Sequence, residues 1–280
     1  MSRPLLACRE LALRHGERCL VQGLALSVRA GERWAVVGPN GAGKTSLLLA
    51  LAGARRPDHG VIEIGGRPVE AWSVAELARL RALVTDRWID AFAISALDCV
   101  LAGRFHRRRP ADSSSTVLAR WRGGGAAAAS GSTDAPDAAL RIALRCLQDL
   151  DCAELAERDV RRLSRGERQR VALAAALAQE SELVLLDEPL SHQDPRHQMQ
   201  VLHHLLGCAG RTFIGALHDL NAAARFATHA LLLSGDGTWR AGTAQEVLTC
   251  EALSTLFATT IVCVGTGSHR AFVAEGHSTI

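Results

Sequence analysis

Residues Leu5 to Leu13 and Cys19 to Val28 alternate apolar and polar side chains, and His15 with Gly16 lies between them as a turn would. A period of two broken by a short polar step predicts an antiparallel strand pair. Trp34 to Val37 is a short apolar run ending on Gly38, and Thr45 to Leu51 then reads as a helix. A strand, a glycine loop and a helix therefore follow one another. Val61 to Ile64, closed by Gly65 and Gly66, adds a strand and turn, and Val74 to Leu83 has a helical pattern. Ala138 to Leu150 and Glu167 to Gln179 are also helical in pattern, the second opened by Ser164 as N-cap. Leu183 to Leu186 and Thr212 to Leu217 are unbroken apolar runs of the length expected for strands buried in a parallel sheet. The pattern predicts an α/β fold with a parallel core and a small antiparallel sheet from the N-terminal third.

Composition refines this picture at a few points. Between His106 and Pro136 the chain turns to Arg, Ser, Gly and Ala, with little that could pack a core, which predicts a flexible insertion. The 280 residues, 48% apolar and 22% charged, suit one domain of residues 1–280 with an inserted helical subdomain from about Ala71 to Arg162. A net charge of +3, with basic residues clustered only at Arg107 to Arg109, argues against a nucleic-acid partner. The eight cysteines form no CxxC pair, which favours free thiols in a reducing compartment. The longest apolar stretches fall far short of the roughly 20 residues that a membrane span needs.

Gly38, Pro39, Asn40, Gly41, Ala42, Gly43, Lys44 and Thr45 meet the pattern GxxxxGK[ST] between a predicted strand and helix, the setting its mechanism requires. Glycines let successive backbone N–H groups converge on phosphate oxygens, and the helix N-terminus adds its positive end. Lys44 then reaches the β and γ phosphates of ATP, Thr45 ligates Mg²⁺, and Ser46 is placed to bond the α-phosphate. The embedded GAG does not make a dinucleotide fingerprint, because Ser46 stands where the third glycine belongs.

LVLLDEP, from Leu183 to Pro189, carries two carboxylates at the strand end, where a parallel sheet presents its ligand-binding edge. Taken alone, this also fits an ordinary strand end. Beside the glycine loop, Asp187 becomes a candidate for holding Mg²⁺ through water, and Glu188 for orienting and deprotonating the attacking water.

LSRGERQRV, from Leu163 to Val171, lies just ahead of LVLLDEP and resembles the signature helix of ATP-binding cassette (ABC) ATPases, a family of the P-loop NTPase class with a RecA-like core. The resemblance implies that Ser164, Arg165, Gly166 and Glu167 contact the γ-phosphate of a nucleotide held by a second copy; as a local pattern they also fit a plain helix cap. SHQD, ending at Asp194, resembles the family's D-loop, and His218 in ALHDLN its switch histidine, implied to contact the γ-phosphate. The resemblance covers nearly the whole chain, weakest in the insertion. Within the family HDLN, AARFA, DPRHQ and LAGRF look most like ATPase subunits of bacterial importers for iron siderophores, haem and cobalamin. That implies ATP and Mg²⁺ as cofactors and a homodimer closing on ATP. It further implies two transmembrane permease subunits, a periplasmic binding protein that delivers the substrate, and a place on the cytoplasmic face of the inner membrane.

Departures from the family pattern carry expectations of their own. Asp86 stands in ALVTD where the family has a glutamine that touches Mg²⁺ and the attacking water, which puts coupling in doubt. Arg165 and Glu167 replace a glycine and a glutamine of the usual signature, changes common in the family. The family's adenine-stacking aromatic residue has no tyrosine to fill it; His15 occupies its place, either as a weaker stacking ring or as an exposed turn residue. The rival reading, a soluble ABC ATPase acting on nucleic acid or ribosomes, usually has two cassettes or long coiled-coil insertions, and this chain has neither.

Overall fold

The computed structural model describes residues 3–85, 93–107, 136–265 and 271–275. The predicted flexible insertion, apart from its ends, and Asp86 lie outside them. The chain divides into two compact units: one of Met1–Ser73, Glu182–Pro189 and Cys208–Ile280, the other of Val74–Ser181 and Leu190–Gly207.

In chain order the elements begin with β1 (Leu6–His15), β2 (Arg18–Val28), β3 (Arg33–Val37), α1 (Lys44–Leu51), β4 (His59–Ile64) and β5 (Arg67–Pro68). There follow α2 (Val74–Leu80), β6 (Arg81–Val84), α3 (Ala96–Ala102), α4 (Pro136–Asp149), α5 (Arg165–Ala178), β7 (Leu183–Asp187) and α6 (Pro195–Gly207). The chain continues through β8 (Thr212–Ala216), α7 (Leu220–Phe226), β9 (His229–Leu233), β10 (Trp239–Thr243), α8 (Ala244–Val247), α9 (Cys250–Phe257), β11 (Ile261–Val264) and β12 (Ala271–Ala274).

In the first unit, β1 pairs antiparallel with β2 and β4, and the sheet runs β2-β1-β4-β5. In β1 burial has a period of two on either side of a bulge, at Leu6 and Cys8 and again at Leu11 and Leu13; between them the register shifts and Glu10 has φ 50°, while in β2 Leu24, Leu26 and Val28 alternate inward. The second sheet of this unit runs β10-β9-β3-β8-β7, with β3 parallel to both β8 and β9, and β7 parallel to β8. Every residue of β7 and β8 is buried, so their unbroken apolar runs cover both faces of the sheet. Each such Leu or Ile contributes roughly 1.5–3 kcal/mol by leaving water. The consequence is a rigid floor whose carboxyl ends carry Asp187, Glu188 and His218. The β11–β12 hairpin is tied to α7 by Asn221, whose side chain donates to Phe272 O (3.2 Å) and accepts from Phe272 N (2.7 Å).

In the second unit, the expected helix over Val74 to Leu83 ends at Leu80, and Arg81–Val84 is a strand. Burial decides the switch: Ala82 and Val84 are buried while Arg81 and Leu83 are only partly so, which is a period of two. The amide of Gln179 donates to the carbonyls of Ala78 and Arg81, satisfying backbone acceptors at the helix end. Helix α5 starts where its cap predicts: Ser164 Oγ accepts from Glu167 N at 3.3 Å, and Glu167 Oε2 accepts from Ser164 N at 2.7 Å. This reciprocal pair satisfies two otherwise orphaned N–H groups. Arg104, almost fully buried, donates to Ala178 O and pairs with Glu180 at 2.9 Å, closing the other end of the same helix.

Candidate functional site

The glycine loop leaves β3 at Gly38 and enters α1 at Lys44. Gly43 is the N-cap, at φ 98°, a left-handed conformation that a side chain rarely adopts, and a Cβ there would stand 2.9 Å from Leu20 Cβ. Lys44 is 6% exposed. Its ammonium donates to Gly38 O at 2.7 Å and Pro39 O at 3.1 Å, so the charge is held inside the loop. Burial pushes its pKa below the ordinary lysine value, and the carboxylates of Glu188 and Asp187 pull the other way.

Across the loop stand the ends of β7 and β8. Glu188 has φ 51°, a left-handed conformation costing on the order of 1–3 kcal/mol, and its N–H donates to Ala216 O at 3.1 Å. That turn directs its carboxylate away from the strand, and Oε1 lies 2.5 Å from His218 Nε2. Asp187 is 4% exposed at the last position of β7.

One cavity of about 320 Å³, at the small end of ligand clefts, is lined by residues of the first unit. It brings together His15, Asn40, Gly41, Ala42, Gly43, Lys44, Thr45, Ser46, Glu188 and His218. Gly38 and Pro39 contribute the carbonyls that hold Lys44. Arg18 and Leu20 also line the cavity, although no motif in the sequence marks them. Arg18 Nε donates to Gly235 O at 3.1 Å, a contact 217 positions away that no local pattern foreshadows.

The remaining predicted residues lie in the second unit. Ser164 and Glu167 form the cap of α5, and Glu167 is held below the usual carboxylate range, first by its hydrogen bonds with Ser164. Arg165 is exposed, while Gly166 is buried so close to the chain that a Cβ would stand 2.6 Å from His192 O. Asp194 opens α6, its Oδ1 accepting from His197 N at 3.0 Å and its Oδ2 2.8 Å from His197 Nδ1. These hydrogen bonds lower its pKa.

A glycine loop on a helix N-terminus, facing two carboxylates at strand ends of a parallel sheet, defines a phosphate-loop nucleotide-binding ATPase. The model of the ABC transporter family matches residues 21–191. The hemin import ATP-binding protein HmuV of Streptomyces coelicolor is 37% identical over 255 residues, 90% of this chain and 83% of its own length. The iron(3+)-hydroxamate import ATP-binding protein FhuC of Bacillus subtilis is 31% identical over 90% of this chain and 87% of its own. Among solved structures, a transporter described as metal-chelate type, in an inward-facing conformation, superposes with TM-score 0.77 at 26% identity, covering 99% of this chain and 100% of that one. The chain belongs to the ABC transporter family, and it is an ATP-binding ATPase of that family. Among the described residues no helix is long and apolar enough to cross a membrane.

Proposed function

We propose that this chain is the ATP-hydrolysing subunit of a bacterial importer of a metal chelate such as an iron siderophore, haem or cobalamin. The observation that carries the ATPase chemistry is a cavity that gathers Lys44, Thr45, Glu188 and His218. Its similarity to ATP-binding proteins of hemin import and of iron(3+)-hydroxamate import supports the substrate class.

In this reading Lys44 transfers its donated hydrogen bonds from the Gly38 and Pro39 carbonyls to the β and γ phosphates. Glu188 orients the attacking water and accepts its proton. His218, in contact with Glu188, donates toward the γ-phosphate where negative charge grows. The Thr45 hydroxyl and the Asp187 carboxylate are hard oxygen donors that fit Mg²⁺, an ion usually held by few protein ligands plus phosphate and water. When bound, the ion supplies neutralisation of phosphate charge. Ser164, Arg165, Gly166 and Glu167, together with Asp194, complete the site from a second copy on closure. Closure moves two permease subunits at the cytoplasmic face of the inner membrane, and a periplasmic binding protein delivers the chelate. Asp86, a carboxylate where the family has glutamine, tunes the metal dependence of the reaction.

The test is reconstitution with a candidate metal-chelate permease from the same organism. ATP hydrolysis should rise with the permease and its substrate-loaded binding protein, and should not respond to RNA or DNA. Stimulation by nucleic acid alone would replace this reading with the soluble class.

A further inference from the structure

Arg55 lies just beyond α1 and belongs to none of the motifs described above. Its Nη1 donates to Ser46 Oγ at 3.0 Å, and its Nη2 donates to the carbonyl of Arg14. Asp58 secures the same strand: its Oδ2 accepts from Arg14 N at 2.8 Å, and its own N–H donates to Ala12 O at 3.0 Å. Arg14 immediately precedes His15, so one guanidinium joins the strand leading to His15 to the loop helix bearing Ser46. His15 and Ser46 both line the cavity.

The polarity of these bonds has a chemical consequence. A guanidinium can only donate, whereas a serine hydroxyl has one donor and two acceptor positions. Ser46 Oγ must therefore accept from Arg55, and its O–H is left to donate elsewhere. With a side chain 28% exposed, Arg55 gains little from Asp58 at 3.9 Å as an ion pair. Its influence lies in the two-pronged donation. We infer that Arg55 is a positioning residue for the nucleotide: it fixes the Ser46 hydroxyl as a donor to the α-phosphate, and its second prong, on the Arg14 carbonyl, anchors the guanidinium that does so. This deepens the proposed function and rests on the phosphate-loop reading of Gly38 to Thr45.

The test is a double-mutant cycle on the full chain, with ATP affinity read by calorimetry for wild type, Arg55→Ala, Ser46→Ala and the double variant. Each single change should weaken ATP about tenfold, the scale of one charge-assisted hydrogen bond, and the double variant no more than either. The two α-thio diastereomers of ATP give a second readout: wild type should prefer one, and Arg55→Ala should lose that preference. Additive losses, an equal preference in wild type, or a preference retained by Arg55→Ala would each overturn the inference. If Arg55→Ala does not fold, Arg55→Lys takes its place in the cycle under the same criteria, because it keeps the charge but not the two-pronged reach. Lys44→Ala separates the role of Arg55 from the phosphate-loop reading. Retained ATP affinity in that variant sinks the phosphate-loop reading, whereas lost affinity beside wild-type binding by the Arg55 variants removes only the role of Arg55.

Discussion

His218 Nε2 lies 2.5 Å from Glu188 Oε1, joining the residue that follows β7 to a residue just beyond β8. Parallel pairing of those strands, from Leu183 opposite Thr212 to Asp187 opposite Ala216, brings the two side chains to one sheet edge. A short contact between a histidine and a carboxylate orients both groups.

Glu188→Gln should therefore leave ATP affinity within about twofold, since Lys44 and the loop remain, while hydrolysis falls by at least about a hundredfold through loss of a general base. An ATP-bound dimer should accumulate and be visible by size-exclusion chromatography. Hydrolysis at the wild-type rate would assign the base to another residue.

Lys44→Ala removes the ammonium that the Gly38 and Pro39 carbonyls hold in place. Within one copy the other proposed protein ligands of the phosphates are neutral N–H and O–H groups, so the loss should exceed that of an ordinary hydrogen bond. ATP affinity should fall by roughly a hundredfold, about 2.7 kcal/mol. Equilibrium binding of a fluorescent ATP analogue measures it.

The parts legible from the chain were those whose signal is local. The β1–β2 strand pair, the apolar runs of β7 and β8 and the Ser164 cap appear where their patterns place them, although β1 interrupts the expected alternation with a bulge between Cys8 and Leu11. The passage from α2 to β6 was not legible, because ten residues cannot distinguish a period of 3.6 from a shorter helix followed by two buried alternating positions at Ala82 and Val84. Arg18 and Arg55 were missed for another reason. In sequence they are unremarked surface arginines, and only folding brings one to Gly235 and the other to Ser46.

Cys8 offers a pH test. It is 2% exposed on β1, and burial pushes its thiol up to about 11 from 9.0. At pH 8 only roughly one molecule in a thousand carries the thiolate, so iodoacetamide should spare Cys8 in the native protein and label it after denaturation, as mass spectrometry reads. A folded-state pKa above the unfolded one contributes stability that is fully present below pH 9.0 and is lost as pH rises to about 11. Cys8→Ala should flatten this alkaline decline by up to roughly 2–3 kcal/mol.

Gly166→Ala sets two effects of opposite sign against each other. Alanine favours a helix over glycine by up to about 1 kcal/mol in its interior, and by less in the first turn, where Gly166 sits. Against this, a Cβ at Gly166 would stand 2.6 Å from His192 O, a main-chain atom in a segment where His192 itself has φ 59°. Such overpacking costs roughly 1–3 kcal/mol, so the clash outweighs the propensity gain and the variant should be less stable to heat than wild type. Strain relief requires the His192 to Asp194 segment to move, and that segment carries the proposed D-loop. Hydrolysis should fall more than tenfold. Binding of ATP to a single copy should stay within about twofold, because every residue lining the cavity belongs to the first unit and Gly166 to the second. Affinity lost in parallel with hydrolysis would show that Gly166 supports the nucleotide cavity itself rather than its completion by a second copy.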